Sequence, residues 1–408
     1  MSSSLISAIA SAGRCVQQRG YMQQRGSMRV GDTIYLDYQA STPPDPRVWA
    51  AMAEAAATLF ANPHAADHAL GWRASAAISR ASMQIGGLFG LDGEDVLFTS
   101  GASEANAIAL RSLMTGGALP PRPNIIVGAG DHLSTLNEVS SGGVETRIVP
   151  LNTYGAPDPD SLAGMIDTST TLVSVIGVNN ENGAVSDLTA ISRACSANGV
   201  ALHVDLSQAP LAIDVDMIGV GISLATISAH KIYGPKGVGA LLISPGMAGA
   251  LTPLIRGAGQ QGGLRGGTLP TELIVGFGEA CAILVESGQN ERRDVAATRD
   301  HFVARLLAET GASRIGGKGE CHSGNALIRF PGCDAAELLA RSQPFIAAST
   351  QSACSSGSLE PSHVLSAMGH DRRSASECAR FSFGRFSDNG QSDDAVKILK
   401  YALNAICE

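Results

Sequence analysis

From about residue 95 to 245 the chain alternates short apolar runs with longer amphipathic stretches. The runs are Val96 to Phe98, Asn124 to Val127, Thr146 to Val149, Leu172 to Val178, Ala201 to Val204, Leu224 to Ser228 and Gly239 to Ile243. Runs this short, rich in β-branched residues and bounded by Gly, Asn, Asp or Ser, predict buried strands. Stretches such as Ser103 to Met114 and Leu188 to Asn198 carry apolar residues at helical spacing and predict helices between them. Strand and helix in alternation make an α/β chain with a mostly parallel sheet covered by helices. Ligands of such sheets collect at the carboxyl ends of the strands.

The pattern changes at Glu286 to Arg305, a charge-rich stretch that predicts a long helix between a large and a small domain. The large domain is expected over 48–285, and the small one from 32–47 together with 286–408. In the latter, Ala326 to Phe330 and Phe345 to Ser349 read as strands, and Pro361 to Met368 and Asp393 to Ile406 as helices. Residues 237–255 are uncharged, but Pro245, Pro253 and several glycines break them into strand, turn and short helix, so no membrane span is expected. Residues 1–31 hold Arg14, Arg19, Arg25 and Arg29, several serines and no acid. They read either as an organellar transit peptide or as a non-folding extension, with the fold beginning near Asp32 and the chain working in the cytoplasm or, if the segment is a transit peptide, in an organellar matrix.

Composition narrows the partners. The 408 residues are 44% hydrophobic and 16% charged, with a formal net charge of -8. No Lys/Arg cluster interleaves with aromatics, so nucleic acid is not an expected partner. Eight cysteines include no Cys-x-x-Cys pair, which disfavours a metal site or a disulfide scaffold and fits a reducing compartment.

Candidate chemistry gathers at the predicted strand ends. Lys231, beside His230 in an almost uncharged turn after Leu224 to Ser228, is placed to form a Schiff base, which points to pyridoxal phosphate. Asp205, ending the preceding strand, suits a pyridinium nitrogen, and Gln208 could reach the ring hydroxyl. Ser228 and His230 offer neutral donors to a phosphate. Ser100 to Glu104 open a helix whose N–H groups could bind the same phosphate, or they form an ordinary capping box. His132, after Ile125 to Gly130, could stack on the ring and move protons, or be structural. Asn179, Asn180 and Glu181 face a ligand or form a turn. The glycine-rich run from Arg256 to Thr268 lacks the strand-turn-helix context of a dinucleotide fingerprint and reads as a flexible or partner-facing anion loop. Cys354, in a small polar run ahead of Pro361, suits an accessible thiolate on a loop, whereas most free cysteines are buried and inert.

The stretches Tyr35-Leu-Asp-Tyr-Gln-Ala-Ser-Thr-Pro, Phe98-Thr-Ser-Gly-Ala-Ser-Glu, His203-Val-Asp-Leu-Ser-Gln, Ser228-Ala-His-Lys, Arg265-Gly-Gly-Thr, Ser352-Ala-Cys-Ser-Ser-Gly-Ser-Leu-Glu-Pro-Ser and Arg380-Phe-Ser-Phe-Gly-Arg resemble the cysteine desulfurases. These are class V members of the aspartate-aminotransferase-like fold, and the Cys354 run is similar to the long-loop group that serves iron–sulfur cluster assembly. The resemblance implies a homodimer that binds pyridoxal 5'-phosphate and takes sulfur from L-cysteine to an acceptor protein such as an iron–sulfur scaffold. It implies that Lys231 holds the cofactor, His132 stacks on it and Asp205 meets its nitrogen, with Gln208 and Asn180 near ring hydroxyl and substrate. Ala102, Ser103, Ser228 and His230 would bind the phosphate, with Thr268 reaching it from the partner subunit. Arg380 would grip the substrate carboxylate, and Cys354 would receive the sulfur. The sequence departs from the family at Gln351 and Ala258, where glycine is usual, and at Leu206, where a small residue is usual. It also ends soon after its last helix, without the longer tail that housekeeping members use to dock a scaffold. A selenocysteine lyase or β-lyase, or a non-enzymatic regulator, are the competing readings.

Overall fold

The computed structural model describes residues 29–115, 119–317, 319–350 and 361–407. The fold opens earlier than Asp32, with a hairpin of β1 (Arg29–Val30) and β2 (Thr33–Tyr35). Gly31 turns it at φ 65°, a conformation glycine adopts without a side-chain penalty.

All seven apolar runs form strands of one sheet: β3 (Val96–Thr99), β4 (Asn124–Gly128), β5 (Glu145–Val149), β6 (Thr170–Ile176), β7 (Ala201–Asp205), β8 (Leu224–Ser228) and β9 (Gly239–Ile243). Their order is β3-β9-β8-β7-β6-β4-β5. The pairings from β8 through β5 are parallel, and β9 is antiparallel to both β8 and β3. Being antiparallel to β9, β3 runs the same way as β8. The carboxyl ends of β3, β4, β6, β7 and β8 therefore share one edge of the sheet.

A second, four-stranded sheet has the order β10-β11-β14-β13, from β10 (Ser313–Arg314), β11 (Asn325–Arg329), β13 (Ser349–Thr350) and β14 (Cys378–Ser382). The run expected as one strand over Phe345 to Ser349 is split. Its first half, β12 (Ile346–Ala347), pairs in parallel with β2, and its second half joins β14. The chain changes partners because Ile346 must fill the core beside Ile34, while Ser349 faces polar company at Asp37.

Each sheet has its own apolar core, and one helix serves both. Thr271–Glu309 places Ile274, Phe277 and Cys281 in the core of the large sheet and Val295, Phe302 and Leu306 in that of the small one. It begins well before the charge-rich stretch that announced it. Its first turns are buried on most sides, so they lack the polar face that marks a surface helix in sequence. No helix among the described residues is long and apolar enough to cross a membrane.

Candidate active site

The shared edge of the large sheet opens into a cleft of about 650 Å³, a volume suited to a cofactor with a small substrate. Ala102, Ser103, His132, Asn180, Asp205, Gln208, His230 and Lys231 all line it. Parallel strands deliver these residues to one place because each strand end turns outward into a loop or helix there.

The floor is a chain of hydrogen bonds. Asp205 is 7% exposed. One of its carboxylate oxygens accepts from the Ser207 N–H at 3.0 Å, the other from Asn106 Nδ2 at 3.1 Å. Asn106 Nδ2 also donates to Ser134 Oγ at 3.0 Å, and Ser134 Oγ lies 2.8 Å from His132 Nδ1. With the Ser134 N–H also donating to Nδ1 at 3.1 Å, His132 is a neutral imidazole carrying its proton on Nε2. Burial pushes its pKa down, against the pull of Asp205 and with the help of Lys231 and His363. Neither Asn106 nor Ser134 was singled out in the sequence. An amide inside the apolar helical stretch Ala105 to Leu110 was the available signal.

Lys231 ends the turn Ala229–Lys231 that follows β8. Its Nζ donates to the carbonyls of Gln39 at 2.8 Å and Ala40 at 2.9 Å, and Gln208 Nε2 donates to the same Gln39 carbonyl at 2.9 Å. The turn is stapled to residues 39–42, since Thr42 Oγ1 donates to the His230 carbonyl and accepts from the Tyr233 N–H at 2.6 Å. Tyr233 sits at φ 65°, held there by that bond and by the Arg385 guanidinium 4.1 Å from its ring centre. Segment 39–42 thus shapes the site from the far end of the sequence.

On the opposite wall the helix Ala102–Thr115 points its N-terminus at the cleft. Glu104 accepts from the Ser100 N–H at 2.6 Å, as a capping residue does, while Ala102 and Ser103 stay on the cleft wall. The capping and anion-binding readings therefore coexist. Ser228 Oγ lies 2.8 Å from His230 Nδ1, and burial, then Lys231 and Lys236, push His230 down to about 4, leaving a neutral donor.

Ser228, Arg380 and Thr268 do not line the cleft, Ser228 being fully buried behind His230. Arg380 lies behind Asn180, donating to its carbonyl at 2.7 Å and to Asp37 at 2.7 Å. Thr268 is exposed at the end of the 256–268 loop. That loop is fastened to the large sheet. The Gln261 amide bonds both backbone groups of Phe98, at 2.7 and 3.0 Å, and Arg265 pairs with Glu104 at 2.9 Å. Cys354 and Gln351 fall in 351–360, outside the described residues.

A sequence profile described as aminotransferase class-V matches residues 34–393. The chain belongs to the class-V aminotransferase family. Within it, the chain is similar to the cysteine desulfurase IscS of Rickettsia bellii, 37% identical over 91% of this chain and 92% of that one. The cysteine desulfurase IscS of Rickettsia peacockii is 37% identical over 92% and 90%. Among solved structures, a NifS-like protein from Rickettsia africae superposes with a TM-score of 0.82 at 26% identity, over 91% of this chain and 99% of that one. SspA in complex with cysteine superposes at 0.76 with 30% identity, over 87% and 99%.

The family's cofactor is pyridoxal phosphate, and the residues of the cleft fit it. One buried polar atom of a cleft-lining residue, Ser207 Oγ, has no hydrogen-bond partner among the described residues. Buried groups of this kind are ordinarily satisfied, so it marks a place where a polar ligand belongs. The donor set also matches: an amine at Lys231, a carboxylate at Asp205, and a helix N-terminus beside Ser228 and His230 for a dianion.

Proposed function

We propose that this chain is a pyridoxal-phosphate-dependent cysteine desulfurase, which converts L-cysteine to L-alanine and keeps the sulfur as a persulfide on Cys354. The observation that carries the reading is Lys231 and Asp205 in one cleft with a neutral His132. When bound, pyridoxal phosphate supplies an electron sink for the pair left at the substrate Cα.

The residues divide the remaining work. Lys231 holds the cofactor and moves the Cα proton, for which its Nζ must leave the carbonyls of Gln39 and Ala40. Asp205 keeps a positive charge on the ring nitrogen, and His132 covers the ring. Gln208 serves the ring hydroxyl. Ala102, Ser103, Ser228 and His230 hold the phosphate, joined by Thr268 from a partner subunit in a homodimer. Asn180 and Arg380 orient the substrate carboxylate, for which the Arg380 guanidinium must leave the Asn180 carbonyl and Asp37.

The Cys354 thiolate attacks the substrate sulfur, the C–S bond breaks, and protonation of the three-carbon product gives alanine. Atoms balance as L-cysteine plus a protein thiol giving L-alanine plus a protein persulfide. The persulfide then passes to an acceptor thiol, for which an iron–sulfur scaffold in the cytoplasm is the proposed partner.

Alanine and sulfide released from L-cysteine are to be measured for wild type and Cys354→Ser in the presence of a thiol reductant. Wild type should release both in equal amounts, and the variant should release neither beyond background. Undiminished sulfide from Cys354→Ser would favour a β-eliminating lyase instead.

A further inference from the structure

Asn106 stands at a position where an apolar residue would serve its helix better. It is fully buried on the inner face of the helix Ala102–Thr115, alongside the buried Ala105, Ile108 and Ala109. Asn is a weaker helix former than the Ala or Leu that such a face ordinarily carries. Its Oδ1 also goes without a hydrogen-bond partner among the described residues, and a buried acceptor left so weakens the fold. Local rules broken in this way point to a use elsewhere.

What Asn106 gives is a pair of donated hydrogens. Both N–H groups of the amide sit on Nδ2, and they go to Asp205 at 3.1 Å and to Ser134 Oγ at 3.0 Å. The first contact settles which way the amide is turned, since an ionised carboxylate only accepts and would repel Oδ1. With Ser134 Oγ accepting from Asn106, its own proton goes to His132 Nδ1 at 2.8 Å. One buried amide thus backs both Asp205 and His132. It rides on the same helix whose first residues, Ala102 and Ser103, line the opposite wall of the cleft.

We propose that Asn106 is a positioning residue for recognition of the cofactor's ring nitrogen: it turns the Asp205 carboxylate to face that nitrogen, and it acts on the cofactor through Asp205. This rests on the assignment of Asp205 to the ring nitrogen. The Ser207 N–H holds one carboxylate oxygen at 3.0 Å, which by itself leaves the group free to swing about that contact. Asn106 holds the other oxygen from a different element, and two such donors fix the plane of the carboxylate.

The test lets the full-length protein choose between two cofactors. Dissociation constants are measured for pyridoxal phosphate and for 1-deazapyridoxal phosphate, in which a C–H replaces the ring nitrogen. A charged partner at the nitrogen should make wild type prefer pyridoxal phosphate by about tenfold or more. Asn106→Ala should keep a preference below about threefold, while its affinity for the deaza form stays within about twofold of wild type. Asn106→Leu, which keeps the volume, should show the same loss if Asn106→Ala fails to fold. Ser134→Ala cuts the His132 branch alone and should keep the full preference.

A full preference in the Asn106 variants, an equal loss in Ser134→Ala, or a matching loss of affinity for the deaza form would overturn the proposal. Asp205→Asn separates it from the assignment beneath it. That substitution should abolish the preference, and adding Asn106→Ala to it should change neither dissociation constant further. If Asp205→Asn keeps the preference, the assignment of Asp205 fails. If Asp205→Asn loses it and the Asn106 variants do not, the assignment stands and Asn106 has no part in it.

Discussion

The floor of the cleft and its rim are held by different means. On the floor, Asp205, Asn106, Ser134 and His132 form a chain of hydrogen bonds that ties the end of the parallel strand β7 to the helices Ala102–Thr115 and Leu133–Ser141. At the rim, ion pairs join residues far apart in sequence: Arg380 to Asp37 across 343 positions, and Arg385 to Asp45 across 340. The floor inherits its precision from sheet register. The rim hangs on two-residue strands such as β12 and β13, too short to fix anything by themselves, and takes its stiffness from buried charge.

If that division is right, floor substitutions should strike chemistry and rim substitutions should strike stability and substrate affinity. Lys231→Ala should give the largest effect, a loss of turnover of about 10³-fold or more together with loss of the visible absorbance of the lysine-bound cofactor. Persistence of that absorbance would contradict the assignment. Asp205→Asn should lower kcat by about 10²-fold while the protein remains folded and cofactor-bound. Arg380→Met should behave oppositely. It leaves the half-buried Asp37 without its guanidinium, so denaturant unfolding should show a loss of about 2 kcal/mol, with a raised KM for L-cysteine. Equal effects of the two substitutions on kcat and stability would erase the distinction between floor and rim.

The buried imidazoles sharpen the comparison through pH. Burial is the leading cause that pushes His203 and His230 down to about 4 and His322 to about 3, from an ordinary 6.5. The unfolded chain therefore takes up protons first as pH falls, and stability is lost from about 6.5 down through about 4. Asp131 has the opposite sign. Burial raises it to about 8, so its contribution is complete below the carboxylate range and is lost as pH rises through 8. Thermal melts at stepped pH should show a flatter acid limb in His322→Asn and a flatter slope from 6.5 to 8 in Asp131→Asn. Unchanged slopes would mean these groups titrate as they do in the unfolded chain. The smallest effect is expected at Arg265→Ala, where Glu104 loses its partner but keeps the Ser100 N–H, at a cost of about 1 kcal/mol.

Much of the floor could be read from sequence because a parallel sheet puts chemistry where an apolar run ends. Asp205, Lys231 and His132 each follow such a run, and all three line the cleft. The reversed strand β9 was also within reach, since Ser228 and Gly239 are too close in sequence for a parallel crossover. The order of strands was not, because no local pattern says that β6 lies between β4 and β7. The rim was hardest. Gln39, Asp37 and Asn325 act through partners more than 100 positions away, and nothing near them in sequence reports the contact. The long helix was read at half its length for a related reason, because its first half is buried on most sides and carries no periodic polar face.

The most direct test of the central claim is the mass of the protein after brief exposure to L-cysteine, followed to the peptide that contains Cys354. One added sulfur is expected on that peptide, removed by thiol reductant and absent in Cys354→Ser and Lys231→Ala. Alanine accumulating with no sulfur on Cys354, or with sulfur carried on another cysteine, would contradict it.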